Sequence, residues 1–249
     1  MIASWQPLRY LPALVMVMAM LAGSPTWAQD VSITLGDGDT LTTRTMQLFF
    51  LITLLSLVPG LAVMITCFPF IVTVLSILRQ AIGLQQAPPN MLIITLALFL
   101  TYFVMDPVFT AAWEAGISPM MDGALEPEAA FVATLEPFRI FMAARVDPTT
   151  FAAMADLRPD LGEVEASPDA PLSVLVSSFL LSEISRAFQI GFLIFLPFLI
   201  IDLVVSAVLM SMGMMMVPPV IVSLPFKLAF FVIADGWALI ASALVRGYL

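Results

Sequence analysis

The chain contains no histidine and only one cysteine, and both shortages restrict what it can do. Without histidine it lacks the most common general base and metal ligand, which excludes Ser-His and Cys-His catalysis and histidine-based metal sites. The lone Cys67 cannot form an intramolecular disulfide, and its apolar neighbours indicate a packing residue. Charged residues are also scarce, at 11%, whereas apolar residues make up 61% of the 249 residues. This balance predicts a membrane protein.

The first 28 residues are typical of a secretory signal peptide. Arg9 supplies a positive start, residues 11–23 form a short apolar stretch, and residues 26–28 resemble a cleavage site, with the cut between Ala28 and Gln29. The apolar stretch is too short to span a bilayer comfortably, and an uncleaved anchor is the alternative. Cleavage would leave residues 29–47 as a periplasmic segment.

Acidic residues are concentrated in the middle of the chain. Residues 106–172 hold twelve Asp or Glu and three Arg, so they account for the whole formal net charge of −9. This predicts an acidic extramembrane domain and excludes nucleic acid as a partner, because phosphate binding needs Lys and Arg. Within the domain, residues 127–145 are predicted to be a helix with a buried apolar face. That face comprises Phe131, Leu135, Phe138 and Met142.

Four apolar blocks flank this domain, at residues 48–78, 91–105, 187–212 and 217–245. They predict an all-α, membrane-associated fold in which helices are broken or kinked at Pro59–Gly60, Pro197 and Pro225, because a proline leaves a backbone carbonyl without its donor. The predicted divisions are a first hydrophobic hairpin over 48–105, the acidic periplasmic domain over 106–172 and a second hairpin over 173–249. A helix is also expected to run from 172 into the third block.

Isolated charges occur in the second hairpin, at Glu183, Asp202, Lys227 and Asp235. Charges are costly in lipid, so they should face a partner or a water-filled path. Lys227 is expected to pair with Asp202 or Glu183, within one subunit or between two. A position at the water interface for Glu183 and at a helix end for Asp235 are the alternatives.

A methionine cluster separates the last two apolar blocks and ends with Met214, Met215 and Met216, just before Pro218. Methionine is a common core filler, so packing is one interpretation. The other is that flexible thioethers crowd around an axis and close a passage.

Five stretches of this sequence resemble the FliP family, a subunit of the flagellar type III export gate with relatives in injectisomes. They are VLSILRQAIGLQQAPPN (Val74–Asn90), LALFLTYFVMDPVF (Leu96–Phe109), SEISRAFQIGF (Ser182–Phe192), FLIIDLVVSAVLMSMGMMMVPP (Phe198–Pro219) and SLPFKLAFFVIADGW (Ser223–Trp237). The chain departs from the family pattern at Pro69 and Phe70, where the family has Thr and a basic residue. It also departs at Arg186, one position after the family's basic residue.

The resemblance implies a non-enzymatic pore subunit without a cofactor. It implies a homo-oligomeric ring, a pentamer, that assembles with FliQ-like and FliR-like subunits and with help from a FliO-like factor. The ring would lie in the bacterial inner membrane at the flagellar basal body, with a large periplasmic portion. Unfolded flagellar proteins would pass through it.

The resemblance also implies roles for particular residues. Met214, Met215 and Met216 correspond to a gasket around the pore. Glu183, Asp202 and Lys227 correspond to charges between helices or subunits. The apolar helices are expected to be lifted largely out of the bilayer plane.

Other functions are compatible with parts of the sequence. An injectisome-type subunit is the nearest alternative, and a small-solute transporter would also use charges among broken helices. An intramembrane aspartyl protease built on Asp202 and Asp235 is the weakest, because neither lies in a protease-like motif. The chain has no GxxxxGK[ST] phosphate loop, so any nucleotide hydrolysis has to come from another protein.

Overall fold

The computed structural model describes residues 41–84, 87–162, 164–214 and 216–248, and within them the chain is helical, without β-strands. The chain divides into two compact units, residues 1–50 and 51–249, and the packing below belongs to the second. The predicted signal peptide over 1–28, its cleavage site at Ala28 and Gln29, and Met215 lie outside the described residues. Most of the predicted periplasmic segment 29–47 lies outside them as well.

The helices follow one another along the chain, with a π-helical turn at Trp113–Ile117 and a 3-10 turn at Pro159–Leu161. They are α1 (Leu41–Met64), α2 (Phe68–Ile82), α3 (Asn90–Ala112), α4 (Ser118–Met121), α5 (Pro127–Ala143), α6 (Pro148–Asp156), α7 (Leu172–Ser211), α8 (Pro219–Ile233) and α9 (Gly236–Arg246).

Two helical stretches among the described residues are long and apolar enough to cross a membrane. They are Asn90–Met121, which comprises α3, the π-helical turn and α4, and the 40-residue α7. Helices α8 and α9 form a pair bent by 61°, which would be a third crossing if the pair counts as one span. The all-α, membrane-associated fold with a broken helix pair is therefore confirmed.

Helix α2 lies at the centre of the main core, with α3, α7, α8 and α9 packed around it. Its buried side chains recur every three or four residues, at Ile71, Val74, Leu75, Leu78 and Ile82. The approach to α7 is close at Gly191, where an added Cβ would lie 2.4 Å from Ile77 Cδ1. The missing side chain lets the two backbones approach, as small residues do between apolar helices.

The acidic segment has a smaller core of its own, formed by α5, α6 and the beginning of α7. Met142, Phe151 and Phe179 are buried in it. The predicted apolar face of α5 is confirmed at Met142 but is wrong at Phe131, whose side chain is 65% exposed. The start of α5 instead buries Ala130, which lies against Gly116 of the π-helical turn.

The breaks between helices do not coincide with the internal prolines. Helix α1 runs through Pro59 and Gly60, and the chain breaks later, at residues 65–67. There the Thr66 hydroxyl accepts a hydrogen bond from the Phe68 amide at 3.3 Å and donates to the Val63 carbonyl at 2.7 Å. Helices α7 and α8 likewise continue through Pro197 and Pro225. No helix is interrupted at these three prolines, and the break expected within the first apolar block falls at residues 65–67 instead.

Candidate functional site

A partly buried ion pair joins α7 to α8. Lys227 Nζ lies 2.6 Å from Asp202 Oδ2, and the Ser223 hydroxyl donates to Asp202 Oδ1 at 2.6 Å. The Lys227 side chain is 5% exposed and that of Asp202 27%. Ser223 and Lys227 share a face of α8 because they are four residues apart, so both reach the same carboxylate. We call Asp202, Ser223 and Lys227 the hairpin tie.

The hairpin tie also reaches α2. Lys227 Nζ donates to the Ala81 carbonyl at 3.2 Å. Ala81 lies in the last turn of α2, where carbonyls lack an intrahelical partner and a cation is favourable. The sequence left the partner of Lys227 open between Asp202 and Glu183, and in the structure Asp202 is the acid in contact. One ammonium group thus links three helices.

Glu183 belongs to a different cluster and its side chain is fully buried. Its Oε1 accepts hydrogen bonds from Arg145 Nε at 3.2 Å and Arg186 Nη1 at 3.5 Å, and its Oε2 accepts one from the Tyr248 hydroxyl. The Arg145 guanidinium also stands 3.8 Å from the Tyr248 ring centroid and donates to the Gly247 carbonyl at 3.0 Å. A buried carboxylate needs such partners, because ionised groups are costly in an apolar interior.

Asp235 lies at a helix end, as one of the two interpretations of the sequence has it. It precedes α9 with a left-handed φ of 48° and is exposed. The Asp202 carboxylate accepts hydrogen bonds from Ser223 and Lys227 and is not paired with Asp235. This arrangement gives no support to an aspartyl protease, whose two carboxylates must share a site.

The methionine segment, residues 212–216, begins where α7 ends. The Gly213 amide donates to the Met210 carbonyl at 3.1 Å and the Met214 amide to the Leu209 carbonyl at 3.0 Å. This is a Schellman motif, and the φ of 75° at Gly213 suits glycine because it has no Cβ. Met216 is 97% exposed and Met212 65% exposed, so thioethers project from the tip of the hairpin.

An apolar groove of about 560 Å³ lies between α7 and α8, and its lining includes Met212 and Met214 of the methionine segment. Val204, Val208, Met212 and Phe226 are among the side chains that line it, and its described lining contains no charged residue. A transporter of polar solutes needs convergent polar groups in its site, so the groove gives no support to that function.

A sequence model of the FliP family matches residues 51–244, more than half of the chain. The chain belongs to the FliP family. It is similar to the flagellar biosynthetic protein FliP of Caulobacter vibrioides, with 50% identity over 218 residues, covering 88% of this chain and 82% of the relative. The protein of that name in Rhizobium meliloti is 41% identical over 245 residues, covering 97% of this chain and 100% of the relative. The one in Bacillus subtilis is 44% identical over 204 residues, covering 82% and 92%.

The departures from the FliP family pattern have structural counterparts. Phe70 is buried in the main core, and its ring meets that of Tyr248 edge-on at 5.4 Å between centroids. Arg186 reaches Glu183 despite its shifted position. Three residues of these clusters were missed from the sequence: Arg145, Ser223 and Tyr248. Of these three residues, only Ser223 could have been found from the sequence, because it lies one helical turn before Lys227.

Proposed function

We propose that this chain is a core subunit of the flagellar type III protein export gate, and that it forms part of the pore through which unfolded flagellar proteins leave the cytoplasm. The observation that carries the proposal is membership of the FliP family over residues 51–244. The relatives quoted above are named flagellar biosynthetic proteins, and the long apolar helices agree with membrane association.

The proposed assembly is a homo-oligomeric ring with FliQ-like and FliR-like subunits in the inner membrane, with a FliO-like factor assisting. Exposed apolar side chains support it, because patches this extensive need lipid or protein cover. They include Phe99 and Phe103 on α3 and Phe192 and Leu203 on α7. The acidic domain would face the periplasm.

In this proposal Met214, Met215 and Met216 form the gasket of the pore. Methionine suits that role because its flexible, polarizable side chain packs against surfaces of varied shape. The exposure of Met216 and the fixed end of α7 at Gly213 support it. The hairpin tie would hold α7 and α8 together, so that the segment between them keeps its position.

The experiment that tests the function is deletion of the gene, followed by complementation. We expect cells without flagella, no flagellar subunits in the medium, and recovery of both by the wild-type gene. Normal swimming of the deletion strain would contradict an export role. Loss of uptake of a small solute in flagellated cells would favour a transporter instead.

A further inference from the structure

The last part of the chain, α8 and α9 with residues 247 and 248, returns along α7 and is attached to it at two points. We call this part the returning arm. The hairpin tie attaches its first half, through Lys227 and Asp202. Tyr248 attaches its end, through the buried Glu183. Between the two attachments lies the 61° bend at Asp235.

We propose that Tyr248 is a positioning residue of this subunit: with Arg145 it fastens the end of the returning arm to Glu183 of α7. We call this three-residue contact the C-terminal latch. Its residues come from the segment after α5, from α7 and from the end of the chain. Tyr248 lies just beyond the residues that the FliP family model matches, since these stop at 244, whereas Arg145 and Glu183 lie within them.

Aromatic rings, a carboxylate and a guanidinium group surround Tyr248 and restrain it. Its ring stacks on Phe141 at 6.2 Å with an interplanar angle of 17° and meets Phe70 edge-on. Burial, and after it the Glu183 carboxylate, raise the pKa of the Tyr248 hydroxyl, so it stays protonated and keeps its role as donor. The Arg145 guanidinium covers the ring and bonds the Gly247 carbonyl, so backbone and side chain are held together.

Helix α9 needs an attachment at its far end to stay in place. Helix α9 buries only Gly236 and Leu244, so packing alone restrains it weakly. The left-handed residue Asp235 separates it from α8, and a helix beyond such a break can move independently unless its far end is fixed. Since α8 starts at Pro219, three residues after Met216, a loose arm would also loosen the methionine segment. The latch itself needs no assumption about export, whereas its effect on swimming rests on the proposed function.

Hydrogen–deuterium exchange on the purified full-length protein tests the latch. The variants are Tyr248→Phe, which keeps the ring and removes the hydroxyl, Arg145→Ala, and the two combined. Arg246→Ala is the matched control, because Arg246 is an exposed cation two residues before Tyr248. Helix α8 serves as the internal reference.

We expect amide exchange in α9 to be about tenfold faster in Tyr248→Phe and Arg145→Ala, because a hydrogen bond to a charged group is lost. Exchange in α8 and in Arg246→Ala should be unchanged. The acceleration of α9 exchange in the double variant should be smaller than the product of the accelerations in the two single variants, since both substitutions act on one contact. Exchange in α9 within twofold of wild type in Tyr248→Phe would overturn the latch, and so would equal acceleration of α8 and α9.

Swimming provides the functional readout. We expect Tyr248→Phe to reduce the swimming zone in soft agar and Arg246→Ala to leave it unchanged. If the gene deletion swam normally, the export proposal would fail while the exchange result for the latch stood. A Tyr248→Phe variant with fast α9 exchange and normal swimming would keep the latch and remove its positioning role in export.

Discussion

At the residue scale, Glu183, Asp202 and Lys227 of the second hairpin have charged partners inside the same chain. Lys227 contacts Asp202, and Glu183 contacts Arg145 and Arg186. Losing one partner of such a buried pair costs more than losing a surface pair, because the remaining charge stays out of water. These residues are therefore expected to stabilise the fold of the hairpin before they serve any pore.

Lys227→Met should destabilise the protein by about 3 kcal/mol, because it leaves Asp202 without its cation and the Ala81 carbonyl without its donor. The midpoint of heat-induced unfolding of the purified protein measures this. Arg158→Met is the control, because the Arg158–Asp160 pair is exposed on both sides and should contribute little.

Exchanging the two charges, as Asp202→Lys with Lys227→Asp, should recover part of the lost stability and swimming. Recovery should be incomplete, because an aspartate at 227 cannot donate to the Ala81 carbonyl. If the swapped protein were no more stable and swam no better than either single variant, the ion pair with Asp202 would not be the reason that Lys227 stabilises the protein.

Cys67 should resist thiol reagents in the folded protein. Burial raises its pKa to about 12, so the reactive thiolate is scarce at pH 8.5. Labelling with N-ethylmaleimide should be at least about a hundredfold slower than for an Arg246→Cys residue in a Cys67→Ser background. In denaturant both thiols should react alike. Rapid labelling of native Cys67 would mean that the core around α2 opens.

At the element scale, the sequence predicted helices better than the breaks between them. The span predicted for α5 from its periodicity, 127–145, matches Pro127–Ala143, and the uninterrupted α7 follows the expected extension from 172. The break after α1 was predicted at the proline, whereas Thr66 makes it through its own hydroxyl bonds. Proline is tolerated in apolar helices, so Pro59 was a weaker indication of a helix end than Thr66, which lies three residues before Pro69.

The site residues that the sequence did not predict are brought together by tertiary contacts. Arg145 and Tyr248 lie 38 and 65 residues from Glu183 along the chain, so packing alone brings them together. The choice between Asp202 and Glu183 as the partner of Lys227 depended on how α7 and α8 align, which their composition does not determine.

Gly191→Val should push α7 away from α2 and destabilise the protein by about 2 kcal/mol, as overpacking does. The reason is the contact with Ile77, which leaves no room for a side chain. Gly60→Ala is the control, because no atom lies within 4 Å of its added Cβ. Unfolding midpoints of the two variants compare them directly. Equal midpoints would show that the α2–α7 contact is looser than described.

At the scale of the whole molecule, the α7–α8 hairpin presents flexible methionine side chains at its tip. Replacing Met214, Met215 and Met216 with alanine should leave assembly intact but let small solutes leak across the membrane. The physical reason is that alanine lacks the reach to fill a gap of variable shape. Dye influx into cells that produce the export complex measures the leak. Unchanged permeability with normal export would remove the gasket role, and Met46→Ala, an exposed methionine of α1, is the control.

The length of α7 has a consequence for how the protein meets the bilayer. With a rise of about 1.5 Å per residue, its 40 residues extend about 60 Å, twice the roughly 30 Å of a hydrocarbon layer. Fitting this rod wholly inside the layer would need a tilt of about 60°, beyond the roughly 40° that membrane helices reach. A membrane-crossing α7 would therefore protrude by a large part of its length, with the acidic domain near one end and the sulfur-rich tip at the other.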